Sequence, residues 1–136
     1  VRHEDVLNLS ISDDSLDLIV SNDVFEHVPN PEKAFVECAR VLKKGALMLA
    51  TIPFNSDSVE SVTRAILVDG QLDYILSPAY HGNPISAEGS LVFTDFGWDV
   101  LDVMRKSGFS DVIIEVYSSA EFGHLGGGQL VFRLIK

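Results

Sequence analysis

The chain has 136 residues, 20 acidic against 10 basic side chains, a formal charge of −10 and 46% hydrophobic residues, enough for one domain with its own core and too few for two ordinary ones. A single cysteine, Cys38, excludes an intrachain disulfide and a cysteine zinc cluster, and no apolar run reaches the ~20 residues of a membrane helix. The acidic balance without a Lys/Arg cluster argues against a nucleic-acid groove and points to small-molecule chemistry in a reducing, cytoplasmic setting.

The first residue is Val1, and no charged-then-apolar leader follows it, so the chain reads as beginning inside a longer gene. After the turn-forming run Ser12 to Ser15, Leu16–Ser21 is a short β-rich segment of the kind buried in a parallel sheet. Pro31 then stands where a first helical turn accepts proline, and Phe35, Cys38, Ala39 and Leu42 repeat at helical spacing, which predicts an amphipathic helix over 31–42. Lys43 and Lys44 suit the negative end of that helix and Gly45 its left-handed cap, after which 46–52 reads as a second buried strand. Strand, helix, strand is the unit of an open α/β sheet with parallel neighbours.

Pro53 closes the second strand, and Val59, Val62 and Ile66 before Gly70 predict a short helix over 58–69. Residues 73–92 show no clear period, and connections of that length are usually lids or binding segments, so 54–93 is taken as an insertion in the one domain, 1–136. Thr94 or Asp95 is expected to cap a helix running to Ser107 and stopped by Gly108, with Trp98, Val100, Leu101 and Met104 inward. Two final strands, 111–118 and 129–135, joined through Gly126-Gly127-Gly128, predict a closing antiparallel hairpin.

Leu16 to Val28, followed by Pro31, the helix, Arg40-Val41-Leu42-Lys43-Lys44-Gly45 and the strand into Pro53, resembles the C-terminal half of a class I S-adenosylmethionine-dependent methyltransferase of the type 11 group. The resemblance implies an α/β fold: a partial Rossmann-like sheet holding strands 4, 5, 6 and 7 of a seven-stranded order 3-2-1-4-5-7-6, with flanking helices and an antiparallel closing hairpin. It implies S-adenosylmethionine as cofactor and a small-molecule methyl acceptor. The family's glycine-rich loop after strand 1 and acidic residue after strand 2 have no counterpart here, and Gly126-Gly127-Gly128 lies in a hairpin rather than between a strand and a helix. A half-site cannot hold the methyl donor in line, so the chain alone is expected to be inactive.

By the same resemblance Asp5 would accept a hydrogen bond from the adenine amino group and the Val6 amide would meet the ring, a job that suits an acceptor-only carboxylate; equally, Asp5 is one of several acids in a solvated turn. Asn22 and Asp23 follow the first strand at the carboxyl edge of the sheet, where open α/β folds bind ligands, so they are candidates for the methionine end of the cofactor. Asp23, Glu26 and His27 share one face if their segment is helical, and related methyltransferases with a similar motif hold a divalent ion there with a later histidine, for which His81 is available. Mg²⁺, Mn²⁺ and Zn²⁺ are all candidates, and the alternative is a capping pair with no metal, in which case His27 is the general base. His3 and His124 read as surface histidines, while Tyr74, Tyr80 and Phe93 either cover a core or wall an acceptor pocket.

Two other functions compete with methyl transfer. The first strand, lacking its family neighbour, would present a bare apolar edge, which predicts a homodimer or strand-swapped assembly and a non-catalytic interaction module. A different doubly wound enzyme with the D-x-x-E-H face as metal centre is the third reading.

Overall fold

The computed structural model describes residues 3–83 and 86–136. Strand β1 (Leu16–Asn22) leads through a single 3-10 turn (Phe25–His27) into helix α1 (Pro31–Val41) and strand β2 (Leu42–Thr51). The insertion follows as β3 (Val62–Thr63), β4 (Ala65–Val68), β5 (Gln71–Tyr74), β6 (Tyr80–Asn83), β7 (Ser86–Leu91) and β8 (Thr94–Asp95). Helix α2 (Val100–Lys106), β9 (Asp111–Ser119) and β10 (His124–Ile135) complete the chain.

The main sheet has the order β1-β2-β10-β9. β1 and β2 are parallel, and β10 is antiparallel to both β2 and β9. α1 forms where its apolar spacing predicts it: Asn30 caps it by accepting the Lys33 amide, Pro31 occupies its first turn, and Ala34, Phe35, Cys38, Ala39 and Val41 are buried. That face meets Met48, Ala50, Phe132 and Leu134 of the sheet and Val100 and Met104 of α2 in one core, with the Phe25 ring stacked on Phe35 at 4.2 Å. Alternation then sends Leu18 and Val20 of β1 to the other face, where they are 51% and 64% exposed.

Several expectations need correction. α1 ends at Val41 and β2 starts at once; Gly45 is no helix cap but takes φ +78 inside the strand, where the β1 pairing slips between Leu16 and Leu18, and its amide donates to the Lys136 carbonyl. The helix expected over 58–69 is absent, because Asp69 and Gly70 both have positive φ and make a two-residue hairpin turn between β4 and β5. An Asp-Gly pair after the run Ala65–Val68 outweighs a loose helical period. The periodless stretch after it folds as the β6–β7 hairpin.

The late helix is shorter than expected, since Thr94 and Asp95 pair with β3 and α2 begins only after Asp99. Trp98 lies before that helix and is 45% exposed, its indole donating to the Ser56 carbonyl and its edge resting on Phe54, so it is a surface clamp rather than core. Val100 and Met104 are buried as expected, and Gly108 stops the helix at φ +112. The closing hairpin forms, but it turns at 120–123; Gly126, Gly127 and Gly128 sit within β10, across a register slip.

Candidate functional site

The 3-10 turn after β1 brings a carboxylate and two imidazoles together. Glu26 is fully buried, and neither carboxylate oxygen has a hydrogen-bond partner. Its Oε1 faces His27 Nε2 at 3.4 Å and His81 Nδ1 at 3.6 Å, and one ligand atom from each of the three residues falls within 4.8 Å of the others. Burial pushes the Glu26 carboxyl above the ordinary carboxylate range; the Asp23 charge adds to this, while the dipole of its own backbone amide and the two imidazoles oppose it.

The tautomer of His27 is fixed by its neighbour. Its Nδ1 is 2.7 Å from the Leu91 carbonyl, which can only accept, so Nδ1 carries the proton and a neutral ring turns the Nε2 lone pair toward Glu26. Two acceptors then face each other in a buried space, an arrangement that calls for a proton or a cation between them. His81 comes from β6 in the insertion, and the two rings meet edge to face at 5.0 Å. Gly89 lets β7 lie close against the His81 backbone: it has φ +83, and a Cβ there would come within 2.4 Å of the His81 carbonyl oxygen.

Asp23 lies outside this cluster. It takes φ +49 as β1 ends, its amide donates to the Thr51 carbonyl, and its carboxylate accepts the Thr51 hydroxyl at 3.0 Å. The left-handed kink separates it from a turn only three residues long, so no shared helical face exists. Asn22 and Asp23 are both exposed at the carboxyl edge of β1. Asp5 is exposed and accepts the Leu7 amide, and Val6 is half-buried against the core. Val6 also lines an apolar cleft of about 230 Å³ with Leu16, Ile19, Val20 and Phe25.

The loop carrying Asp5 is anchored by Arg40 of α1, which donates to the Leu9 and Ile11 carbonyls, to Asp13 and to both oxygens of Glu37; Glu37 in turn accepts the Leu9 amide. A second cleft, about 450 Å³, opens beside Thr51 between Tyr117, His124 and the backbone of Gly126 and Gly127. The Leu91 carbonyl, the Thr51 hydroxyl and Gly89 were not foreseen in sequence. A lone glycine in a strand signals close approach, whereas a backbone carbonyl leaves no signal.

Residues 1–50 match the methyltransferase domain family. The Haloferax volcanii protein solved in complex with the Trm112 methyltransferase activator aligns with a TM-score of 0.60 and 16% identity, over 96% of this chain and 58% of its own. A Mesorhizobium loti S-adenosylmethionine-dependent methyltransferase aligns with a TM-score of 0.59 and 16% identity, over 97% of this chain and 67% of its own. The chain has the class I S-adenosylmethionine-dependent methyltransferase fold. A Galdieria sulphuraria protein described as a sarcosine dimethylglycine methyltransferase candidate shares 39% identity over 43% of this chain and 22% of its own, with a TM-score of 0.41. The chain therefore spans between about a fifth and two thirds of these proteins. No curated protein matches it by sequence. Among the described residues no helix is long and apolar enough to cross a membrane.

Proposed function

We propose that this chain is the part of an S-adenosylmethionine-dependent methyltransferase that contributes one wall of the cofactor site and the acid-base group for methyl transfer to a small molecule. The observation that carries the reading is the parallel β1–β2 pair with Asn22, Asp23 and the Glu26–His27 turn at its carboxyl edge, where folds of this class bind ligands. In this reading β1, β2, β9 and β10 correspond to strands 4, 5, 6 and 7 of the seven-stranded sheet. Asp5 and Val6 take the adenine edge, and Asn22 and Asp23 the methionine end. The exposed Asp5 carboxylate and the backbone that Thr51 fixes at Asp23 fit those tasks.

S-adenosylmethionine, when bound, supplies an electrophilic methyl on its sulfonium sulfur. The residues here orient it and handle the proton. His27, with Nδ1 held by the Leu91 carbonyl and its ring partly exposed, takes the proton of the acceptor oxygen or nitrogen on Nε2 as that atom bonds to the methyl carbon and the carbon–sulfur bond breaks, and the Glu26 carboxylate beside Nε2 balances the imidazolium that forms. Half of a cofactor site supplies only part of the alignment, so the chain by itself is inactive.

The same Nε2 serves a second role if a divalent ion is bound. The orphaned Glu26 carboxylate and the two imidazoles fit such an ion, with Glu26, His27 and His81 as its holders. There it would supply Lewis-acid polarisation of a substrate oxygen. Equilibrium dialysis of labelled S-adenosylmethionine tests the reading: Asp5→Ala and Asn22→Ala are each expected to weaken binding about five- to tenfold, a loss of ~1–1.4 kcal/mol. Equal binding by wild type and both variants overturns the assignment.

A second reading is favoured by β1, an edge strand of this sheet with Leu18 and Val20 exposed beside it. A free edge pairs readily, which supports a homodimer or strand-swapped assembly. Light scattering at high concentration decides it: a dimer supports assembly and a monomer refutes it.

A further inference from the structure

The carboxylate-imidazole cluster joins two parts of the molecule. Glu26 and His27 belong to the turn after β1, and His81 to β6, 54 residues later and outside the main sheet. The insertion consists of two-stranded pieces, and its exposed apolar residues include Leu67, Val68, Tyr74, Ile75 and Tyr80. None of the residues of β6 and β7 whose burial is described is buried, and few buried contacts mean low local stability. Its links to the turn include the His27–Leu91 hydrogen bond and the Phe93 amide donating to the Glu26 carbonyl at 2.7 Å.

From this arrangement we infer that the Glu26–His27–His81 centre takes a zinc-class divalent transition ion, and that the ion acts as a clasp holding the β6–β7 hairpin against the end of β1. The distances fit such an ion. Ligands ~2.0–2.1 Å from a tetrahedral ion lie roughly 3.3–3.5 Å apart, and Oε1 stands 3.4 and 3.6 Å from the two imidazole nitrogens. Mg²⁺ demands close-set octahedral oxygens at ~2.0–2.1 Å, whereas imidazole nitrogens suit zinc and its neighbours. The donor set explains the orphaned carboxylate, because a cation would neutralise a buried charge that no hydrogen bond compensates.

The inference deepens the metal arm of the function proposed above and rests on it, but it does not depend on methyl transfer. Its consequence is that metal occupancy sets whether the insertion is closed. A hairpin tied to the turn by such local contacts as the His27–Leu91 and Phe93–Glu26 hydrogen bonds opens sub-globally, and an ion bound only by the closed form suppresses that opening in proportion to 1 + [ion]/Kd.

Hydrogen exchange of the full chain, read by mass spectrometry on peptides covering β6 and β7, tests this with zinc chloride, magnesium chloride or chelator alone. Zinc at 100 times its dissociation constant is expected to slow exchange in these peptides about 100-fold; magnesium at that concentration leaves it unchanged. His81→Ala is expected to lose the zinc effect while matching wild type in chelator, since its ring is 41% exposed. Cobalt substitution reports binding separately, through the intense visible bands of tetrahedral Co²⁺. Bands without hairpin protection overturn the clasp; no bands overturn both the site and the clasp; equal zinc protection in His81→Ala, or equal protection by magnesium, overturns the assignment of His81 or of the ion. Binding of S-adenosylhomocysteine, measured in parallel, reports on the methyltransferase reading, and its failure leaves the clasp result standing.

Discussion

Replacing Glu26 by Gln should make the metal-free protein more stable. The carboxylate is fully buried with two unpartnered oxygens, and its Oε1 faces the unprotonated Nε2 of His27 at 3.4 Å. Glutamine keeps the shape, removes the charge and puts an amide N–H where it can donate to that nitrogen. Relieving an unsatisfied buried group is worth about 1–3 kcal/mol, and the remaining amide oxygen returns part of it, leaving a net gain of ~1–2 kcal/mol. With unfolding entropy of ~2.1 cal/mol/K per residue over this chain, that gain raises the melting temperature by roughly 3–7 °C. The assay is a thermal melt in chelator at pH 8 and again at pH 5. Because folding raises the Glu26 pKa above 4.5, wild type holds its full stability below that value and loses it as pH rises through the elevated one. The advantage of the variant is therefore largest at pH 8 and shrinks toward pH 5. An equal or lower melting temperature at pH 8 would refute the account of Glu26 as an uncompensated buried charge.

Three further outcomes follow from the fold. Phe35→Ala empties the centre of the α1 face, where Phe35 is fully buried and stacked on Phe25, and should cost about 3–5 kcal/mol by urea denaturation; a loss under 1 kcal/mol would contradict the packing. Burial pushes the Cys38 thiol up to about 12 from 9.0, so stability is unaffected below pH 9 and falls by ~4 kcal/mol as pH rises from 9 to 12. The same burial keeps Cys38 unreactive toward a thiol reagent in the native protein at pH 8, and rapid labelling would contradict it. Arg40→Lys cannot reproduce the fork that reaches Glu37 and the Leu9 and Ile11 carbonyls together, and it should speed amide exchange over 5–11; unchanged exchange would show that this loop does not depend on Arg40.

The sequence spoke most clearly where local signals agreed. Asn30-Pro31 and the Phe35–Cys38–Ala39 spacing made α1 legible, and the β-rich runs around it became the parallel pair β1–β2. It misled where one weak period met one strong turn: the spacing of Val59, Val62 and Ile66 suggested a helix, but Asp69-Gly70 folded the segment into a hairpin. Trp98 read as core because its position within the helix was assumed, and α2 begins two residues after it. At the site, the adjacency of Glu26 and His27 and the candidacy of His81 were readable as chemistry-bearing residues, and the structure gathers all three. Asp23 shares their motif but not their place, because a single left-handed residue redirects its carboxylate to Thr51. The Leu91 carbonyl that sets the His27 tautomer belongs to the backbone of a strand far along the chain, and residue identity carries no trace of it.

The most direct test of the cofactor assignment is a titration of the chain with S-adenosylhomocysteine followed by amide NMR. The account predicts weak, saturable binding near the millimolar range, about −4 kcal/mol, with shifts concentrated at Asp5, Val6, Asn22 and Asp23. Shifts absent from those amides at saturation of the titration, or confined to the opposite end of the sheet, would contradict it.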